Sequence, residues 1–372
     1  MCFRTTVALA ACAICVTPLF AQSGVYPGLQ LNTGKQIYEA ACTACHGTDG
    51  KGTSESVAGF EKPDSFPDFT RCNQTTAEMN TDWKAVIVHG GEYRGFSQIM
   101  PAFGEALRND QIDKVVEYLR GFCGNPHWPR AELNLPRPLV TEKAYPEDEV
   151  ALTTAFNAQG PPGVSTEAAY EQRFGVKNQI EVTVPITFQN QNHTWYGGFG
   201  DSAVGLKREL FSSLRTGSIF SLDGEVSFPT GNENHGLGTG VTTFETFAAY
   251  GQLLPANLFL EFQGGAELPT DTRKVPQSLF WNTVVGQNFA QGKGLGRLWS
   301  PMVEILADRD LATGAKTNWD LLPQFEVTIS RRQHIRADLG VRIPANNTAG
   351  RQIQVLFYVL WDWQDGKLTE GW

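Results

Sequence analysis

The sequence predicts a multidomain chain, a small all-α domain followed by an all-β antiparallel domain. Three observations carry this. Ile112, Val115, Val116 and Leu119 recur at the three- and four-residue steps of an amphipathic helix. Past residue 148 the apolar period changes to two, as in Ile180-Glu181-Val182-Thr183-Val184 and in Ile335, Ala337, Leu339, Val341 and Ile343, which alternate with Arg336, Asp338 and Arg342. Between the two patterns, prolines at 126, 129, 136, 138 and 146 exclude helix and disfavour a central strand. A length of 372 residues suits two domains.

In chain order, residues 1–21 come first. Arg4, an apolar run from Val7 to Phe20 and the small Ala21 before polar sequence make a secretory signal pattern. The run is too short to span a membrane as a mature helix. Leu9-Ala10-Ala11-Cys12 also fits a lipoprotein cleavage box, though with an unusually short apolar stretch before it, so cleavage after Ala21 is expected. Export then leaves four of the seven cysteines, Cys42, Cys45, Cys72 and Cys123, in an oxidising compartment. Cys72 and Cys123 are the disulfide candidate, against the alternative of two free thiols. A net charge of −9 without a basic patch excludes nucleic acid as a partner.

Residues 22–123 form the expected helical domain. Cys42-Thr43-Ala44-Cys45-His46 places two thiols three apart with an imidazole directly after them. That spacing reads as a covalent haem site, in which the thiols add to the porphyrin vinyl groups and the histidine ligates iron. A zinc site would need a second ligand pair, and a redox disulfide a βαβ context. Gly34, Tyr38, Cys42, Cys45, His46, Gly47 and Gly50-Lys51-Gly52 together resemble the opening of class I cytochromes c. Gly34 and Tyr38 share a helix face with Cys42, and the glycine admits a second helix closely. That second helix follows Asn109 and Asp110, either able to cap it, and carries the Ile112–Leu119 stripe.

The same resemblance implies the second iron ligand, because Met100-Pro101-Ala102-Phe103-Gly104 looks like the family's distal loop. Met302 lies far off in the second domain and Met79 lacks the following proline. His89 and His127 are the other nitrogen donors in reach, and His89 would make a bis-His iron. A His/Met iron has both axial sites filled, which suits one-electron transfer rather than substrate binding. The segment Phe66-Pro67-Asp68-Phe69 with Trp83 is expected to pack over the haem.

Residues 124–148 read as an extended strap lying along the domain interface, with Trp128 and Leu135 pinning it to the helical domain. Residues 149–372 form the β domain of about twelve strands, clearest at 180–189, 219–228, 258–263, 319–330 and 335–343. Alternation suits both a soluble sandwich and an outer-membrane barrel, which face their apolar sides oppositely. Strand length and the aromatic residues Trp195, Tyr196, Trp281, Trp299, Trp319, Trp363 and Trp372 near strand ends lean toward the barrel. Tyr170–Val182, Gly200-Asp201-Ser202-Ala203-Val204-Gly205-Leu206-Lys207 and Phe228-Pro229-Thr230-Gly231 further resemble transporter-type barrels of the phenol-degradation pathway family. In a barrel, Lys207, Glu209, Asp223, Glu225, Glu304, Glu326, Arg336, Asp338 and Arg342 would face the lumen, open or plugged.

The function expected from these elements is single-electron transfer by one covalent haem c, held by a barrel at the periplasmic side of the outer membrane. The expected partners are periplasmic redox proteins and outer-membrane lipid. The alternative is an outer-membrane channel for a small compound with an accessory cytochrome. No catalytic triad or phosphate loop is present, so an electron carrier is expected rather than an enzyme with an open haem site.

Overall fold

A computed structural model describes residues 31–54, 59–63, 65–125, 127–290 and 298–363. The signal-peptide expectation for 1–21, the lipoprotein box and Trp372 lie outside the described residues.

The helical domain is built on two crossing helices, α1 (Gly34–Ala41) and α5 (Asn109–Arg120). Thr33 and Gln36 form a capping box that starts α1. A Cβ at Gly34 would lie 2.0 Å from the Lys114 carbonyl oxygen, so only glycine permits this crossing. Beside it Tyr38 is buried and its hydroxyl donates to the Gly47 carbonyl at 2.6 Å. Ile112, Val115, Val116 and Leu119 face Ile37, Tyr38 and Phe69 in one core. Neither Asn109 nor Asp110 caps α5. The helix begins at Asn109, and the Gln111 side chain accepts from the Arg108 amide.

Among the described residues the domain also contains the α-helices α2 (Thr43–His46), α3 (Cys72–Thr75) and α4 (Asn80–His89). Cys72 and Cys123 are bonded with their Cα atoms 5.1 Å apart, tying α3 to the chain leaving α5 across 51 residues of sequence. Closing a loop of this length is worth about 2–4 kcal/mol by restricting the unfolded chain. The double variant C72S/C123S should lose that much in urea unfolding followed by helical ellipticity, and an unchanged midpoint would refute the estimate.

The β domain is a closed antiparallel barrel. Its strands are β1 (Glu149–Asn157), β2 (Gly163–Phe174), β3 (Asn178–Gln191), β4 (Thr194–Phe199), β5 (Ser202–Ser213), β6 (Ser218–Phe228), β7 (Thr243–Leu253), β8 (Leu258–Pro269), β9 (Ser278–Gln287), β10 (Phe289–Ala290), β11 (Leu298–Asp310), β12 (Asn318–Thr328), β13 (Ile335–Pro344) and β14 (Gln354–Asp362). Successive strands pair, except that β3 pairs with β5 and β9 with β11, and β14 pairs with β1, which closes a ring of twelve. Two further strands lie off the ring: among the described residues β4 pairs with β3, and β10 with β11.

Which face points outward distinguishes the two β architectures. Glu304, Asp320, Gln324 and Glu326 are 6% exposed or less, while Val303, Ile305, Leu321 and Phe325 between them are 40% exposed or more. A sandwich in water would show the reverse. An apolar exterior over a polar lumen is the build of an outer-membrane barrel. Aromatic side chains gather at both ends: Trp281 and Trp319 pack edge to face at 5.6 Å near one end, and Tyr170 stacks on Trp363 at 5.7 Å near the other. The helical domain sits at the second end. Three of the turns there, at 175–177, 214–217 and 254–257, are short, whereas 229–242 and 345–353 at the far end are long. Short turns mark the periplasmic end of such barrels.

The strap departs from expectation. Instead of lying along the domain interface, residues 131–147 enter the barrel from the end that carries the helical domain, turn near its middle and return to β1. Leu135 is not against the helical domain but packs inside with Phe259, Val284 and Met302. Leu139 packs with Leu306, Leu322, Leu356 and Leu360 of the lumen wall, and a Cβ at Gly340 would meet its Cδ1 at 2.6 Å. Trp128, outside the mouth, has the Arg173 guanidinium of β2 over its ring at 5.6 Å.

A strap rich in proline forms no ladder, so its amides need side-chain partners, and the lumen supplies them. The amides of Arg137, Leu139, Thr141, Glu142 and Glu147 donate to Glu326, Gln324, Glu304, Gln263 and Gln179. Arg137 pairs with Glu149 and Glu171, and Lys143 with Glu147. The carboxylates of Glu147, Glu149 and Glu171 converge closely enough to hold a metal ion, but each already pairs with one of these two cations of the strap.

Candidate functional site: a haem pocket

Cys42, Cys45 and His46 sit on the tight bend from α1 into α2, where the His46 amide donates to the Cys42 carbonyl at 2.9 Å. The bend ends at Gly47, whose φ of 69° is readily adopted only by glycine. Both thiols are free and half-buried. Burial, then the neighbouring Cys45, pushes the Cys42 thiol up to about 11. Burial lowers His46 to about 4, so its ring is neutral at physiological pH, the form that binds a metal. Its Nδ1 is buried without a hydrogen-bond partner. The ring stacks on Phe66 with centroids 5.0 Å apart and lies 5.1 Å from Phe69.

These groups open on a cavity of about 330 Å³. Its wall brings Cys42, Cys45 and His46 together with Met100, and the segment from Phe66 to Phe69 covers it along with Trp83. The Arg120 guanidinium holds Trp83 from behind, 3.7 Å over the ring. Met100 reaches the wall because its loop folds back on the end of α4. The Gly91 amide donates to the Met100 carbonyl at 3.0 Å, and the Phe103 amide to the Ile87 carbonyl at 2.8 Å. Two glycines make room: a Cβ at Gly90 would lie 3.1 Å from the Met100 oxygen, and one at Gly91 would lie 2.3 Å from the Ser97 oxygen. Met79 and His89 are not in the cavity wall, and His89 stacks on Tyr93 at 4.3 Å.

The residues fit a haem. Two free thiols, a desolvated imidazole with an unpartnered nitrogen, a thioether and an apolar lining are what thioether attachment and His/Met ligation require. Among the wall residues that sequence reasoning missed, one comes from outside the helical domain. Arg332, from the turn between β12 and β13, reaches the same cavity from the barrel. Its arrival depends on a domain contact that no local pattern encodes.

The family and sequence comparisons agree with the helical domain. Residues 29–119 match the family "Cytochrome C oxidase, cbb3-type, subunit III". The chain is 31% identical over 100 residues to the fructose dehydrogenase cytochrome subunit of Gluconobacter japonicus, covering 25% of this chain and 19% of that protein. It is 28% identical over 113 residues to the gluconate 2-dehydrogenase cytochrome c subunit of Pantoea cypripedii, covering 27% and 22%. The chain thus spans about a fifth of the length of these curated relatives. Among solved structures, the KdgM porin in complex with a disordered oligogalacturonate is similar over 58% of this chain and 99% of that one, at TM-score 0.37 and 7% identity. An outer membrane channel from Pseudomonas putida F1 is similar over 62% and 100%, at TM-score 0.39 and 12% identity. The chain therefore joins a cytochrome c domain, an electron-transfer module, to a barrel of outer-membrane build.

Proposed function

We propose that this protein carries single electrons through one haem c, attached by Cys42 and Cys45 and ligated by His46 and Met100, at the periplasmic mouth of its outer-membrane barrel. The carrying observation is one cavity whose wall bears both thiols, the imidazole and the thioether. When bound, the haem supplies a one-electron iron couple. The chain does the rest: Phe66, Phe69 and Trp83 exclude water, and His46 is held neutral for ligation. With Met100 as its second ligand the iron would have no open site for a substrate, which favours an electron carrier over an enzyme. The Met100 thioether also favours the reduced metal.

The partners are then periplasmic redox proteins. The names of the two curated relatives support a dehydrogenase as the electron donor. The strap in the lumen favours a barrel that anchors the cytochrome over one that passes a solute, because residues 131–147 occupy the bore and bond its wall.

Met100→Ala tests the ligand assignment. The ferric protein should lose its long-wavelength thioether-to-iron band, become high-spin, and fall in midpoint by more than about 59 mV, tenfold for one electron. A wild-type iron that is already high-spin and binds cyanide without displacing a ligand would overturn the closed-carrier reading.

A further inference from the structure

Arg332 is a barrel residue in the wall of the cytochrome cavity. Its Nε and Nη2 donate to the Gly95 carbonyl at 3.3 and 3.1 Å, and its guanidinium lies 4.6 Å over the Phe96 ring. Those contacts fix the side chain but give it no counter-charge. Nη1 is buried with no hydrogen-bond partner, and among the described residues no carboxylate pairs with it. The other cations of the cavity wall are differently placed. Arg94 is bound to Asp82 at 2.9 Å, and Arg71 is exposed.

A buried charged donor left unpartnered costs more than the roughly 1–3 kcal/mol of a neutral one, so this arrangement calls for an anion in the cavity. The haem brings two carboxylates of its own on the porphyrin edge. We propose that Arg332 is a positioning residue that pairs with a haem propionate, so that the barrel supplies part of the haem site and sets part of its potential. This rests on the haem reading above. Its physical content is that a fixed cation beside the porphyrin stabilises the electron-rich ferrous form, and burial leaves that interaction weakly screened. Guanidinium suits the role because its planar fork has Nη1 to spare for a carboxylate after two donors are used on Gly95.

The test uses the full-length, haem-loaded protein in detergent and compares Arg332→Gln, Arg332→Lys and the neighbouring Arg331→Gln by spectroelectrochemical titration. Arg332→Gln should shift the one-electron equilibrium toward the ferric form by about threefold to tenfold, a fall of up to about 59 mV. Arg332→Lys should keep most of the wild-type value, and Arg331→Gln all of it. Covalent haem content, read on a denaturing gel, should be equal in all three. An unchanged midpoint in Arg332→Gln overturns the inference, as does an equal fall in Arg332→Lys, because the effect would then come from packing and not from charge. Absence of covalent haem from the wild-type protein would instead sink the haem reading itself.

Discussion

The double variant C42S/C45S should lose its haem completely on a denaturing gel, while its barrel should still show the slower mobility of the heated form only after boiling. Both thiols line the cavity and are free among the described residues. Without thioether bonds the porphyrin would be held by axial ligation and apolar contact alone, which denaturant removes. The barrel is spared because its closure is strand pairing between β14 and β1 and between β9 and β11, remote from the bend that carries the thiols. Haem stain retained by the variant would mean that attachment lies elsewhere.

The second large effect lies in the bore. Replacing residues 134–142 by a glycine–serine chain of the same length should turn a silent protein into one with steady conductance in planar bilayers. The replaced segment carries Leu135 and Leu139, which fill the lumen, and Arg137, which neutralises Glu149 and Glu171. Removing the cation from such a buried group costs about 3–5 kcal/mol, so water and counter-ions would enter to solvate the abandoned carboxylates. Wild-type protein that conducts as well as the variant would show that the strap does not block the bore.

Much of the cytochrome was legible because its signals are local. Gly34, Tyr38 and the stripe from Ile112 to Leu119 follow from helical spacing, and the thiols and His46 from a contiguous motif. Met100 needed the resemblance to a distal loop, since thioethers pack cores by default. In the barrel, β3, β6, β8, β12 and β13 announced themselves by alternation. Strands such as β5, with Gly205 and Lys207 inward, and β7, with adjacent Ala248 and Ala249, blur the contrast between faces. Period two also says nothing about which face meets lipid; the burial of Glu304 and Glu326 beside exposed Val303 and Phe325 decided that.

The strap was misjudged for a related reason. Prolines mark the strap as extended, but the wall groups that take its amides lie in remote parts of the sequence, such as Glu326 for Arg137 and Gln324 for Leu139. A charge looks exposed until the residue that neutralises it is known. Arg332 was hidden in the same way, since its role exists only once the turn after β12 meets Gly95.

The wedged strap also governs encounter geometry. A cytochrome on a slack linker would tumble and present its haem edge in every direction. Here the connector is seated in the bore, and the domain is held at the rim as well, through Arg173 to the Asn73 carbonyl at 2.5 Å and the Ala131 amide to the Thr76 carbonyl at 2.8 Å. The haem pocket therefore keeps one bearing relative to the plane of the lipid, and the bilayer itself excludes approaches from behind. A partner loses little by having to match that single bearing if it too travels along the membrane surface, because the orientational search that normally slows protein docking has been made once, at folding, by the strap.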